Sequence, residues 1–280
     1  MLLEQRLSVA LVALLGILGT AAGESPEECR GLDPGPTRTV TRILDGETVV
    51  LDDATQLRLI GALAPRAVDA DAEPGAWPVA AAATEALRGL VLGKSIELRF
   101  ASERTDRYGR LQAQVYLLEG EQLRWVQGYL VREGLARAYT LAGNRACATE
   151  LLAAEHAARE ARRGLWAETA YQIRQSDKFS ELLRYRATFQ VVEGTIVRVA
   201  EVRGTIYLNF DRNWRRGFSV SLRRDDRHLL GEHASNAKGL EGRRVRVRGW
   251  IEQGGSAPII NLSSGGLIEM IADVPAPQPH

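Results

Sequence analysis

Cysteine, histidine and methionine are scarce in this sequence: two, four and two residues in 280. The histidines (His156, His228, His233 and His280) are scattered, and with two cysteines they make no zinc-ligand spacing. Long apolar runs are equally scarce. Leu7–Leu18 is one, too short to span a bilayer comfortably, and no later segment approaches the ~20 apolar residues a spanning helix needs. No cysteine stands at the candidate cleavage point to take a lipid. Nor is either sign of charge in excess, the formal net charge being +1. Residues 184–270 nevertheless hold fifteen Arg/Lys against nine Asp/Glu, so the remainder is acidic. That basic half suits a polyanion partner and equally suits a solubilised surface.

With 45% hydrophobic and 25% charged residues, the composition is that of a soluble globular protein. The opening MLLEQRLSVALVALLGILGTAAGES has Arg6, an apolar run and small residues at Thr20, Ala21, Ala22 and Gly23. This is the layout of a secretory signal peptide, expected over residues 1–23. Export to periplasm or medium follows as the expectation, with no transmembrane anchor in the mature form. In an oxidising compartment the pair Cys29 and Cys147 invites a disulfide.

Along the chain, "TVTRIL", "TVVL" and "LRLIGAL" alternate with Asp45-Gly46 and "DDAT" turns, as three strands would. A helix is expected over "PVAAAATEALRGLVLG", strands over "KSIELRF" and "LQAQVYLLEG", and helices over "LRWVQGYLVREG" and "CATELLAAEHAAREARRGLW". After a strap, a second block reads as three strands, a polar helical stretch from Arg224 to Lys238, and two strands. The fold class is β-rich α+β: two OB-type five-stranded barrels in tandem, the first with packed helices. The expected divisions are a first unit at 24–168, a linker at 169–184, a second OB-like unit at 185–271 and a disordered Pro-rich tail at 272–280.

Five segments carry more. "ILDGETVVL" (43–51), "LRLIGALAPR" (57–66), "TDRYGRLQAQV" (105–115), "LVREGLARAY" (130–139) and "LLAAEHAAREARRGLW" (151–166) occur in this order. Together they resemble the thermonuclease, or staphylococcal-nuclease-like, family over about residues 37–168. The resemblance implies nucleic-acid phosphodiester chemistry by two arginines, a glutamate and a calcium held by aspartates. Arginine forks would hold the phosphate, the carboxylate would handle the attacking water, and calcium would stabilise developing charge.

Carried over by position, the resemblance places the arginines at Arg58 and Arg110 as catalytic residues and a metal ligand at Glu47, with Asp45 a weaker candidate. The second metal aspartate falls on Leu63 and the catalytic glutamate on Arg66. The site thus shifts by about four charge units, which favours anions over a divalent cation. Loss of the group handling the water's proton costs typically ~10²–10⁴-fold on its own. Asp69, Asp71 or Glu73 in the following loop could replace the lost acids, or could only solubilise that loop.

The expectation is therefore an exported protein with a degenerate active site. Arg58, Arg66 and Arg110 would bind nucleic acid or another polyanion, unless they only form salt bridges. No cofactor is expected. An active nuclease with an altered calcium site is the alternative, and an envelope protein-interaction module a third. In the second block, aromatics interleave with arginines over 207–227. Trp214, Arg215, Arg216 and Arg246 are the candidate nucleic-acid contacts, stacking on aromatics being common in single-strand binders while strand aromatics also serve cores. A protein partner for this block is the competing expectation.

Overall fold

Period-two alternation builds the first sheet. A computed structural model of the chain describes residues 29, 31–65, 79–120 and 122–271. Strand β1 (Asp33–Asp45) runs into β2 (Thr48–Leu51), β3 (Gln56–Leu59) and the short β4 (Ala62–Leu63). In β3, Leu57 and Leu59 point into the core while Gln56 and Arg58 point out. At the β1–β2 turn the Asp45 carboxylate accepts the Glu47 backbone N–H at 2.9 Å. A side chain at Gly46 would meet Ala64 Cβ at 2.7 Å and Ala83 Cβ at 3.0 Å, so the turn needs glycine to pack this closely.

Helix α1 (Ala80–Val91) buries Ala83, Leu87 and Leu90 and leads to β5 (Ser95–Phe100) and β6 (Leu111–Glu119). Strand β1 pairs with β2 and β5, β3 pairs with β2 and, in parallel, with β6, and β6 pairs with β5. These five strands close on themselves in the order expected of an OB-type barrel. The expected helix over "LRWVQGYLVREG" forms only in part. Its start is β7 (Gln122–Trp125), and α2 spans Val126–Arg132. Trp125 is held in the sheet opposite Tyr116, and its indole N–H donates to Gln114 Oε1 at 2.8 Å. The bridge β8 (Arg137–Ala138) pairs with β4, and α3 (Ala148–Glu160) packs on α2. The expected disulfide forms between Cys29 and Cys147, closing a loop of sequence separation 118.

The strap contains β9 (Arg174–Gln175) and α4 (Phe179–Arg184). The second sheet then uses β10 (Phe189–Thr195), β11 (Arg198–Val202), β12 (Thr205–Asn209), β13 (Ser219–Arg223), β14 (Arg244–Gly254), β15 (Ala257–Asn261) and β16 (Leu267–Met270). Its order is β11-β12-β13-β15-β14-β10-β9, with β13 parallel to β15 and β16 beside β14. Between β10 and β11 the chain changes partners: Ile196 N–H donates to Arg243 of the β14 side and Val197 N–H to Asn209 of β12. The expected helix over 224–238 is instead two 3-10 segments, Arg224–Ala234 and Ala237–Leu240. Gly231, at φ 59°, ψ −128°, breaks the first of them.

Both sheets enclose separate apolar cores, yet polar side chains join them. Arg137 donates to Phe189 O at 2.5 Å, Thr140 Oγ1 to Gly265 O at 2.9 Å, and Arg145 to Leu262 O and Gly266 O at 2.9 and 2.8 Å. Gly265, at φ 100°, lets the backbones touch, since a Cβ there would lie 2.6 Å from Thr140 O. In return Arg248 reaches from β14 to both Glu155 oxygens at 2.8 Å. Among the described residues no helix is long and apolar enough to cross a membrane. The expectations for residues 1–23 and 272–280 lie outside the described residues.

Candidate functional site

The outward residues of β3 meet the β1–β2 turn. Glu47 is 0% exposed. One of its oxygens accepts the Ala64 backbone N–H at 3.1 Å, and the other lies 3.3 Å from Arg58 Nη2. Across from Arg58 stands Tyr139, whose ring centre is 5.6 Å from the guanidinium carbon. Burial pushes the Tyr139 hydroxyl pKa above the ordinary tyrosine value, and the Glu47 charge adds to the rise against the opposing pull of Arg58. Glu47, Arg58 and Tyr139 thus form one linked group.

Arg110 keeps different partners. Its Nε donates to Asp106 Oδ2 at 2.7 Å, while Asp106 Oδ1 accepts the backbone N–H groups of Tyr108 and Arg110. Burial alone would raise the Asp106 pKa, but the hydrogen bonds from Arg110 and Tyr108 outweigh it and hold the carboxyl below its ordinary value. The exposed Tyr108 ring lies under both Arg107 and Arg110, at 4.8 and 5.4 Å. A cavity of about 690 Å³ opens here between Arg110, Tyr108 and Gln56. Arg58 pairs in register with Gln112, two residues beyond Arg110, which itself precedes β6.

Leu63 sits where the resemblance calls for a carboxylate. It is buried in an apolar cluster with Tyr139 and Phe189, against which Trp250 packs. Phe189 stacks edge-on to Tyr139 at 5.6 Å and to Trp250 at 6.1 Å, so two aromatics of the second sheet roof this part of the first. Calcium takes six to eight oxygen ligands with carboxylates prominent. The described residues do not fit it: Glu47 is engaged by Ala64 N–H and Arg58, Asp45 is engaged by the Glu47 N–H, and Leu63 offers no oxygen. No group of three or more His, Cys, Asp or Glu among the described residues is placed to hold a metal. Arg66, Asp69, Asp71 and Glu73 lie outside the described residues.

In the second sheet the candidates separate. Trp214 is 56% exposed with Arg215 over its ring at 4.8 Å, and Arg216 is exposed beside them. Phe210 and Phe218 belong to the core, tilted against each other at 5.0 Å. Arg246 is not on an open basic face: it pairs with Glu193 and Glu269. Arg248, on the same side of the strand, is 1% exposed and bound to Glu155 and Glu269. Its two carboxylates outweigh the burial that would lower its pKa, so the guanidinium is held more firmly protonated than usual.

Tyr139, Phe189, Trp250 and Glu155 were not singled out from sequence. Glu155 alone carried a signal, as an acid within the apolar stripe Leu151, Ala154 and Ala158 of α3.

Comparison with known proteins agrees with this geometry. Residues 56–168 match the family described as Staphylococcal nuclease homologue. An uncharacterized endonuclease of Escherichia coli O157:H7 is 31% identical over 132 residues, covering 46% of this chain and 76% of that protein. Protein ParB of Escherichia coli is 33% identical over 172 residues, 59% of this chain and 88% of its own length. The thermonuclease of Staphylococcus intermedius is 32% identical over 136 residues, 47% of this chain and 76% of that protein. A barrel of this strand order, the arginines Arg58 and Arg110 at the matching positions and relatives of this kind lead to one assignment: the chain belongs to the staphylococcal nuclease homologue family.

Proposed function

We propose that this is an exported nucleic-acid-binding or polyanion-binding member of its family whose first barrel has lost calcium-dependent hydrolysis. The observation that carries this reading is Glu47, buried and tied to Ala64 N–H and Arg58 beside an apolar Leu63. A carboxylate so engaged neutralises an arginine instead of holding a cation. With no described acid at the place of the family glutamate, the chain offers no assigned group to take the water's proton. Arg58 and Arg110 remain to attract phosphate, Arg66 being this sequence's own addition to them. The second sheet is proposed as a second OB-type unit over 185–271. Its support is the shared neighbour order, the parallel β13–β15 pair and the helical segment between β13 and β14.

A second reading has its own support. The relatives named endonuclease and thermonuclease, together with Arg58 and Arg110, favour an active nuclease in which Asp69, Asp71 or Glu73 supplies the missing oxygens. The test is hydrolysis of labelled single-stranded DNA and RNA by the mature chain, with calcium or with chelator, and with Arg110→Ala as control. The expected result is no calcium-dependent cleavage. Cleavage that needs calcium and disappears in Arg110→Ala would overturn the first reading and establish the second.

A further inference from the structure

The outer face of the second sheet carries a groove of about 510 Å³. Register builds it. One row runs Arg198, Asn209, Ser219 and Ile259 across β11, β12, β13 and β15, and the next sets Ala200 opposite Tyr207. Small residues, Ala200, Ser219 and Ala257, make a floor, while Tyr207 and Trp214 stand at its sides. The Asn209 amide is already oriented, its oxygen accepting from Ser219 Oγ at 3.0 Å and its nitrogen donating to Arg198 O at 3.4 Å. The opposite faces of the same strands are core: Val199, Ile206, Leu208 and Val220.

Beyond the groove, Arg223–Asp226, Arg224–Glu201, Arg246–Glu193 and Arg248–Glu155 are ion pairs. Arg198, Arg212, Arg215 and Arg216 have no ion pair with the described residues. Asp211, the acid within this loop, accepts the Asn213 N–H at 2.6 Å and forms no ion pair with these arginines. Arg215 lies over the Trp214 ring, which draws its charge to the groove rim.

We infer that this groove is a binding site for single-stranded nucleic acid, one base lying between Tyr207 and Trp214 and the backbone phosphates meeting Arg198 and Arg215. Flat aromatic walls, a small-residue floor and unpaired guanidiniums together suit a planar ring joined to an anion. A duplex keeps its bases stacked inside and would leave the floor empty. The inference rests on the nucleic-acid reading above but places binding on a different face of the molecule from Arg58 and Arg110.

The test uses the mature chain, with chelator present, and a fluorescein-labelled oligothymidylate of about ten nucleotides, within the site sizes of single barrels. Trp214→Ala is expected to weaken binding at least about fivefold, the lower range for losing one stacked base. Ala200→Phe, which fills the floor, should weaken it comparably, and hairpin-duplex DNA should compete poorly. Arg198→Gln with Arg215→Gln should lower the salt slope by about 0.7 per lost phosphate contact. Arg88→Gln, an exposed arginine of α1 outside both sites, should leave oligothymidylate affinity unchanged. If Arg58→Ala with Arg110→Ala abolishes binding and the groove variants do not, the groove is overturned and the anion site of the first barrel stands. If the groove variants lose binding, the groove stands, and the Arg58→Ala, Arg110→Ala pair then shows whether the first barrel contributes a second contact to the same strand. No oligothymidylate binding by the unaltered chain, or binding of duplex alone, overturns the inference. Circular dichroism of Trp214→Ala separates lost contact from lost fold, the side chain being exposed.

Discussion

The two sheets share a neighbour order but treat their outer faces in opposite ways. On the first, Arg58 is paired with Glu47 and stacked on Tyr139, and the neighbouring Leu63 is roofed by Phe189 and Trp250 from the second. On the second, Arg198 and Trp214 flank an open groove, and the arginines around it have no described acid. The difference teaches that arginine content says little about binding until each guanidinium's partner is known. An arginine whose charge is met within the fold attracts an outside anion less strongly than an unpaired one. The roof exists because the sheets are locked together, and the lock is the first place to break the comparison.

Arg248→Met should have the largest effect. It leaves Glu155, 0% exposed, without the guanidinium that binds both its oxygens. Removing one member of a buried pair costs about 3–5 kcal/mol, which urea unfolding can measure. Adding Glu155→Leu should recover part of that loss, because a buried pair replaced whole by apolar groups is often near neutral. A loss under about 1 kcal/mol in the single variant would mean that the sheets hold together without this pair.

Leu63→Asp restores the carboxylate that the family pattern calls for and sharpens the contrast between roofed and open faces. In the apolar cluster of Tyr139, Phe189 and Trp250 it should destabilise by about 3 kcal/mol. Millimolar calcium should not raise its Tm. A calcium-dependent rise of more than about 2 °C would show a metal site rebuilt beneath the roof, and with it a face more accessible than the packing implies.

Much of the first barrel was legible because its strands alternate and its turns carry Asp45-Gly46 and "DDAT", although the strand expected through "LRLIGAL" breaks at Gly61 into β3 and β4. The Arg58, Glu47 and Arg110 positions were legible through motifs. What alternation could not reveal is what covers a face. The alternation of β14 sets Arg244, Arg246 and Arg248 on one side of the strand, but only Arg244 is substantially exposed, and the acids that meet Arg248, Glu155 and Glu269, come from 93 and 21 residues away in sequence. Trp125 was misassigned to a helix for a related reason: its place is fixed by Gln114 and Tyr116 across the sheet, not by its neighbours in sequence. The roof over Leu63 is likewise tertiary, since Phe189 and Trp250 lie in the half of the chain outside the matched region.

The smallest expected effect concerns the arginine between these extremes, Arg110, paired with Asp106 yet lining an open cavity. The Asp106 pKa is lowered in the folded chain from an ordinary value near 3.9. Its pair therefore contributes stability in full above about pH 4, and that contribution is lost as the pH falls through the folded value. Asp106→Asn should cost no more than about 1 kcal/mol at pH 7, where the ion pair is made. The difference between variant and unaltered chain should shrink toward zero in melts recorded at progressively lower pH. Arg198→Gln, which removes a groove arginine with no acid partner among the described residues, should show no such convergence, its effect on stability being small at every pH. A pH-dependent difference for Arg198→Gln would identify a carboxylate already neutralising the groove, and the two faces would then be alike.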